Sequence, residues 1–189
     1  LDYHGPDLGW ATMPDQYTLA AFERLERARG DRAPLLAEIA LVSSHAPWVA
    51  VPELLDWNEI GDGSVFATML EPGDRDAIWS QDPATIRATY RGAIEYSLRS
   101  LISYVQTYGD DRLVLIILGD HQPAPILTGD NAGRDVPITV ITRDRAVLDR
   151  FSDWSWHEGL RPGPHAPVWR MDTFRDQFLS AFSTSRLTP

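Results

Sequence analysis

A chain of 189 residues with 43% hydrophobic and 23% charged residues has the composition of one globular domain able to bury a full core, not of a disordered segment. Its net charge of −10 argues against a nucleic-acid partner, because phosphate binding needs a basic face. With no cysteine, disulfides, thiol chemistry and thiolate metal sites are excluded, so any metal must be held by oxygen and imidazole ligands.

In chain order, Leu1-Asp2-Tyr3-His4-Gly5 opens without a Met or a signal peptide and reads as a piece of something longer. Thr12-Met13-Pro14-Asp15 is a helix start, with Pro in the first turn and an acid near the positive end of the dipole. Leu19, Phe22 and Leu25 recur at helical spacing as far as Arg29, and Gly30 stops the run. Leu35 to Ser44 is apolar enough for a buried strand, ending in Ser44-His45-Ala46-Pro47-Trp48. Residues 49 to 82 carry Pro, Gly and Asp with little periodicity, which predicts an irregular excursion of lid or substrate-facing type.

Asp82-Pro83 opens the longest helix, with Ile86, Tyr90, Ala93, Ile94, Ser97, Leu98, Leu101, Ile102 and Val105 at spacings of three and four and Gly109 as its cap. Arg112 to Leu118 is a second buried strand, too short to cross a bilayer, which takes roughly 20 apolar residues. Val136 to Thr142 is a third strand, followed by a short helix from Asp144 to Phe151. Asp172 caps a last helix with Phe174, Phe178, Leu179 and Phe182 on one face. Apolar strands alternating with helices predict an α/β fold, a mostly parallel sheet sandwiched by helices.

In such a sheet, ligands gather beyond the carboxyl ends of the strands. His45 and the pair Asp120-His121 fall at two such ends. A carboxylate and an imidazole suit Zn²⁺ or Mn²⁺, and Gly119 lets the chain bend so that both face one ion. The competing reading makes Asp120 the start of a turn and His121 a surface residue. His4, His157 and His165 read as edge or loop residues. Trp48 and Trp57 could stack on a sugar or lipid head group, whereas Trp10, Trp79 and Trp169 read as core.

Leu-Val-Leu-Ile-Ile-Leu-Gly-Asp-His, 113 to 121, resembles the strand-plus-Asp-His motif of the alkaline phosphatase and sulfatase superfamily. Within it, the similarity is to sulfatases, lipoteichoic acid synthases and phosphoethanolamine transferases. Ser44-His45-Ala46-Pro47-Trp48 resembles their Ser/Asn-His-x-Pro-aromatic motif, Gly9-Trp10 with Pro14 to Leu19 their Trp…Asp-Glu-x-Leu segment, and Val136-Pro137-Ile138 their later Val-Pro strand. The signals keep the family's order over residues 9 to 142.

The resemblance implies an alkaline phosphatase-like sandwich lacking its N-terminal portion, and a metal-dependent phosphoester or sulfate-ester hydrolase or transferase acting on cell-envelope substrates. Asp120 and His121 would be metal ligands, for Zn²⁺ or Mn²⁺ first and Mg²⁺ or Ca²⁺ as alternatives. His45 would contact the substrate oxyanion or, as in two-metal relatives, help bind the second ion. The substrate would be a small or lipid-linked ester, and the protein would face outside the cytoplasm, anchored through a membrane segment absent from this chain. The family's Thr, Ser or modified-Cys nucleophile and its acidic ligand precede everything matched, so this chain would carry half a metal site and no nucleophile. Arg134 stands where two-metal relatives have a His, either offering its guanidinium to the oxyanion or serving as a plain loop charge. A different class of function is a non-catalytic extracytoplasmic binding module on a decayed enzyme fold.

Overall fold

The computed structural model describes residues 1–70 and 75–183, which group into two units: Leu1–Tyr108 with Pro125–Leu127, and Gly109–Ala124 with the chain from Thr128 on. No helix among the described residues is long and apolar enough to cross a membrane.

In the first unit, α1 (Asp15–Phe22) follows Pro14, whose fixed φ of −65° and extended ψ of 150° set the helix entry. It continues as a widened π-helical turn, Glu23–Arg27, and ends ahead of Gly30 as the spacing predicts. Helix α2 (Pro83–Tyr108) begins at the predicted proline. The Asp82 carboxylate accepts from the Ala84 and Thr85 amides and from the Thr85 hydroxyl, satisfying donors the first turn leaves free. The predicted stripe on α2 is rotated: Leu98 and Ile102 stay 45% and 42% exposed, and the buried ridge runs through Ala93, Tyr96, Ser97, Ser100, Leu101 and Tyr104. Helix α1 packs against α2. Leu8, Tyr17, Ala20, Ala21, Ile60, Phe66 and Leu70 form the core beside them.

Leu35 to Ser44 is not a strand. The segment has no regular structure and ends in a turn at Ser43-Ser44, with Leu36 91% exposed. Apolar composition favours a strand only where another strand offers its backbone groups, and no strand among the described residues pairs with it. Residues 49 to 82 are irregular as predicted, with short 3-10 turns at Ser64–Thr68 and Arg75–Ser80. Part of that excursion, 71–74, lies outside the described residues.

In the second unit, β1 (Val114–Leu118) pairs antiparallel with β2 (Ile138–Thr142), in register from Val114 opposite Thr142 to Leu118 opposite Ile138. This overturns the expected α/β fold with a mostly parallel sheet, since the sheet among the described residues has two antiparallel strands. The connection explains the difference. A parallel pair needs a crossover, usually a helix, to carry the chain back to the starting end. Between 119 and 137 the chain holds only α3 (Pro125–Thr128), broken up by Pro123, Gly129, Gly133 and Pro137. It therefore turns back at the same end. The strands are also half-buried rather than buried.

Asp144 caps α4 (Arg145–Asp149) by accepting from the Ala146 amide at 2.9 Å. Helix α5 (Met171–Phe182) is not capped by Asp172 as predicted; that carboxylate accepts from Nε and Nη2 of Arg170, at 3.0 and 2.6 Å. The predicted aromatic face does form. Phe182 meets Phe151 at 5.6 Å and Phe178 at 4.7 Å between ring centres, and Phe174 reaches Trp154 at 6.1 Å. Leu179 leaves that face and is 57% exposed.

Candidate metal centre

Because the ribbon is antiparallel, the end of β1 and the start of β2 share one end, and the loops that follow and precede them lie together. The Gly119 amide donates to the Pro137 carbonyl at 3.3 Å, and the Gln122 side-chain amide donates to the Asp135 carbonyl at 2.8 Å. A side-chain carbon on Gly119 would sit 3.4 Å from the Val136 Cβ, an ordinary contact, so the approach of the two loops does not depend on the glycine. Asp120, His121 and Arg134 are thereby carried on two tied loops at one end of the ribbon.

Asp120 and His121 project into solvent, their side chains 87% and 66% exposed. Asp120 Oδ1 accepts from the His121 backbone amide at 2.9 Å, which fixes the carboxylate against its own turn. His121 Nδ1 lies 2.7 Å from the Gln122 carbonyl. A carbonyl oxygen only accepts, so Nδ1 must carry the proton, and Nε2 is the nitrogen whose lone pair can bind a metal. Nε2 stands 3.6 Å from Asp120 Oδ2. Two ligand atoms each about 2.1 Å from one ion at a tetrahedral angle lie about 3.4 Å apart. The pair thus fits one edge of a coordination shell, and the residue types fit the expected metals. Among the described residues no group of three or more His, Cys, Asp or Glu side chains stands where it could hold an ion.

Arg134 is exposed, one residue ahead of Asp135, whose carbonyl ties the two loops. His45, in the first unit, does not follow a strand. It closes a turn, its amide donating to the Val42 carbonyl at 3.0 Å. Its Nδ1 meets the Ala46 carbonyl at 2.5 Å, and its ring lies 4.6 Å from that of Trp10. His45 and His121 thus make the same hydrogen bond in different backbone settings, since the X-Pro bond is cis at Ala46-Pro47 and trans at Gln122-Pro123. In both, the carbonyl of X in His-X-Pro takes the Nδ1 proton. The pattern is legible in sequence but does not suffice: His4 of His4-Gly5-Pro6 turns its Nε2 to Asp2 instead.

The tryptophans divide differently from expectation. Trp10 and Trp79, expected in the core, are 46% and 44% exposed, while Trp48, a candidate stacking platform, is 3% exposed. Trp57 is half-buried, its indole donating to the Ser103 hydroxyl at 2.9 Å. The side chain whose role spacing arguments missed is Asp15, expected only as an acid near the positive end of the helix dipole and found fully buried. No protein-family model, no curated protein and no solved structure matches this chain.

Proposed function

We propose that Asp120 and His121 are two ligands of a divalent-cation site, and that the chain is part of a metal-dependent phosphoester hydrolase or transferase, with sulfate esters as the related alternative. The observation that supports this reading is the pairing of Oδ2 with Nε2 at 3.6 Å, both exposed, with the imidazole tautomer set by the Gln122 carbonyl. Outer partners of this kind are what orient a metal-binding histidine. A bound Zn²⁺ or Mn²⁺ supplies Lewis acidity towards an ester oxygen. Arg134 offers a guanidinium to the same oxyanion from the tied loop. His45, in the first unit, is not assigned to this centre: the resemblance implies contact with a substrate oxyanion, and Nε2 is the nitrogen it would use. The substrate class we favour is a cell-envelope phosphoester, met outside the cytoplasm by a membrane-anchored protein.

The test is a titration of the whole chain with Mn²⁺, followed by NMR. Broadening centred on the His121 ring and the Asp120 amide is expected, and Asp120→Ala or His121→Ala should each abolish it. Binding should weaken as the pH falls, because protons compete for the ligand atoms. Broadening spread evenly over the acidic surface, or unchanged in both variants, would overturn the ligand assignment.

A further inference from the structure

We infer that Asp15 is a positioning residue for His45, acting through the backbone of Val42 and Ser43. The inference rests on the proposed function only in giving His45 a task; the positioning itself is a matter of geometry.

Asp15 stands in the first turn of α1 and is fully buried. One carboxylate oxygen, Oδ1, accepts from the backbone amides of Val42 at 2.8 Å and Ser43 at 2.9 Å. The other, Oδ2, accepts from the Ser97 hydroxyl of α2 at 2.6 Å. In return the Asp15 amide donates to the Ser43 hydroxyl at 2.9 Å. One side chain therefore joins α1, α2 and a loop some 27 residues further along. A buried carboxylate costs several kcal/mol in desolvation unless its lone pairs are well used. Here they are spent mainly on a loop.

The loop changes character at that point. Leu35 and Leu36 are 44% and 91% exposed, whereas Ser43 is buried. Directly after the clamped amides, the Val42 carbonyl accepts the His45 amide at 3.0 Å, so the group that Asp15 fixes is the one that closes the histidine's turn. On the far side, the buried Trp48 donates from its indole to the Ser44 carbonyl at 2.9 Å. His45 is exposed between two anchored points, with Nδ1 held by the Ala46 carbonyl. Its imidazole is where it is because Val42 is where it is.

Hydrogen exchange on the unaltered chain is the first test. The Val42 and Ser43 amides should exchange roughly a hundredfold more slowly than those of 36–38, since their acceptor is buried. Equal rates would overturn the clamp without any variant having to fold. The second test reads the His45 ring by NMR, using the ring-current shift from Trp10 at 4.6 Å as the marker of position. Asp15→Ala should lose that shift. Asp15→Asn should retain it, because the amide oxygen still accepts from Val42 and Ser43 while the new NH₂ donates to Ser97, whose proton can turn to the Ala93 carbonyl at 3.2 Å. Ser97→Ala lowers stability but should leave the His45 shift in place. If Ser97→Ala moves the His45 ring as far as Asp15→Ala does, Asp15 is only a packing element. Neither readout needs metal, so failure at Asp120 and His121 would leave this result standing, and the reverse.

Discussion

The first unit buries Tyr17, Ile60, Phe66 and Ile86 to below 2% exposure, and Asp15 and Gln16 with them; among its described residues the second buries Phe151 alone, at 5%. Yet the second unit holds both strands found among the described residues. Val-Leu-Ile-Ile-Leu is hydrophobic on both faces and needs cover on both, whereas a two-stranded ribbon gives each strand one neighbour and is marginal by itself. Irregular segments in the first unit do better because polar side chains organise them. Gln16, for example, donates to the Leu55 carbonyl at 2.7 Å and accepts from the Leu55 amide at 3.1 Å. Burial follows from what surrounds a residue more than from the residue's own hydrophobicity.

The largest expected effect tests this contrast directly. Phe66→Ala removes a fully buried ring and should cost the first unit about 3–5 kcal/mol. Ile116→Ala, in the middle of β1 but half-exposed, should cost less than about 2 kcal/mol. Urea unfolding can follow the units separately, because all 6 tyrosines lie in the first. Equal losses for the two variants would mean that the ribbon is covered as fully as the core, and the contrast would fail.

Helix α2 was legible because Asp82, Pro83 and the spacing of Ile86, Ala93, Ser97 and Leu101 all point one way, and these are local signals. Both strands of the ribbon were legible as runs of β-branched and aliphatic residues. Their pairing was not, because the direction of a pair is set by the connection, and the proline and glycine content of 119–137 was the cue to weigh against a crossover. Leu35 to Ser44 failed as a strand for the same kind of reason: its composition says nothing about whether a partner edge exists. At the candidate centre, Asp120 and His121 stood out through their place after an apolar strand and through the family resemblance, not through adjacency alone. The tautomer of His121 depends on Gln122, which sequence also displays. Asp15 could not be recognised, because its partners Val42, Ser43 and Ser97 come together only through folding.

A smaller effect sharpens the contrast at high pH. Burial, helped by the Asp7 charge and by Tyr17, pushes the Tyr3 phenol from 10.0 up to about 12. Burial raises Tyr90, Tyr96, Tyr104 and Tyr108 as well. A raised folded value means that the folded state holds its proton more tightly. The stabilisation is then complete below the unfolded value of about 10 and is lost as the pH climbs towards 12. Phenolate absorbance should lag the ordinary tyrosine curve and then rise together with loss of helical signal from the first unit. Ordinary titration with the helices intact would show that these phenols are not shielded.

The smallest effect separates two tyrosines that look alike by burial. The Tyr17 hydroxyl shares its proton between the Leu1 carbonyl at 2.7 Å and that of Asp2 at 2.9 Å, whereas the buried Tyr96 hydroxyl makes no bond of good geometry and meets the Gln16 amide and the Ser100 hydroxyl only loosely. Tyr17→Phe removes a made bond and should cost about 1 kcal/mol. Tyr96→Phe removes a buried polar atom whose desolvation is offset only by those loose contacts, so the change should be neutral or stabilising by up to about 1 kcal/mol. Thermal unfolding of the two variants side by side reads the difference in sign. A clear loss of stability in Tyr96→Phe would place a water or a side chain on that hydroxyl, and the buried face of α2 beside Gln16 would then be a connected polar network like the one around Asp15.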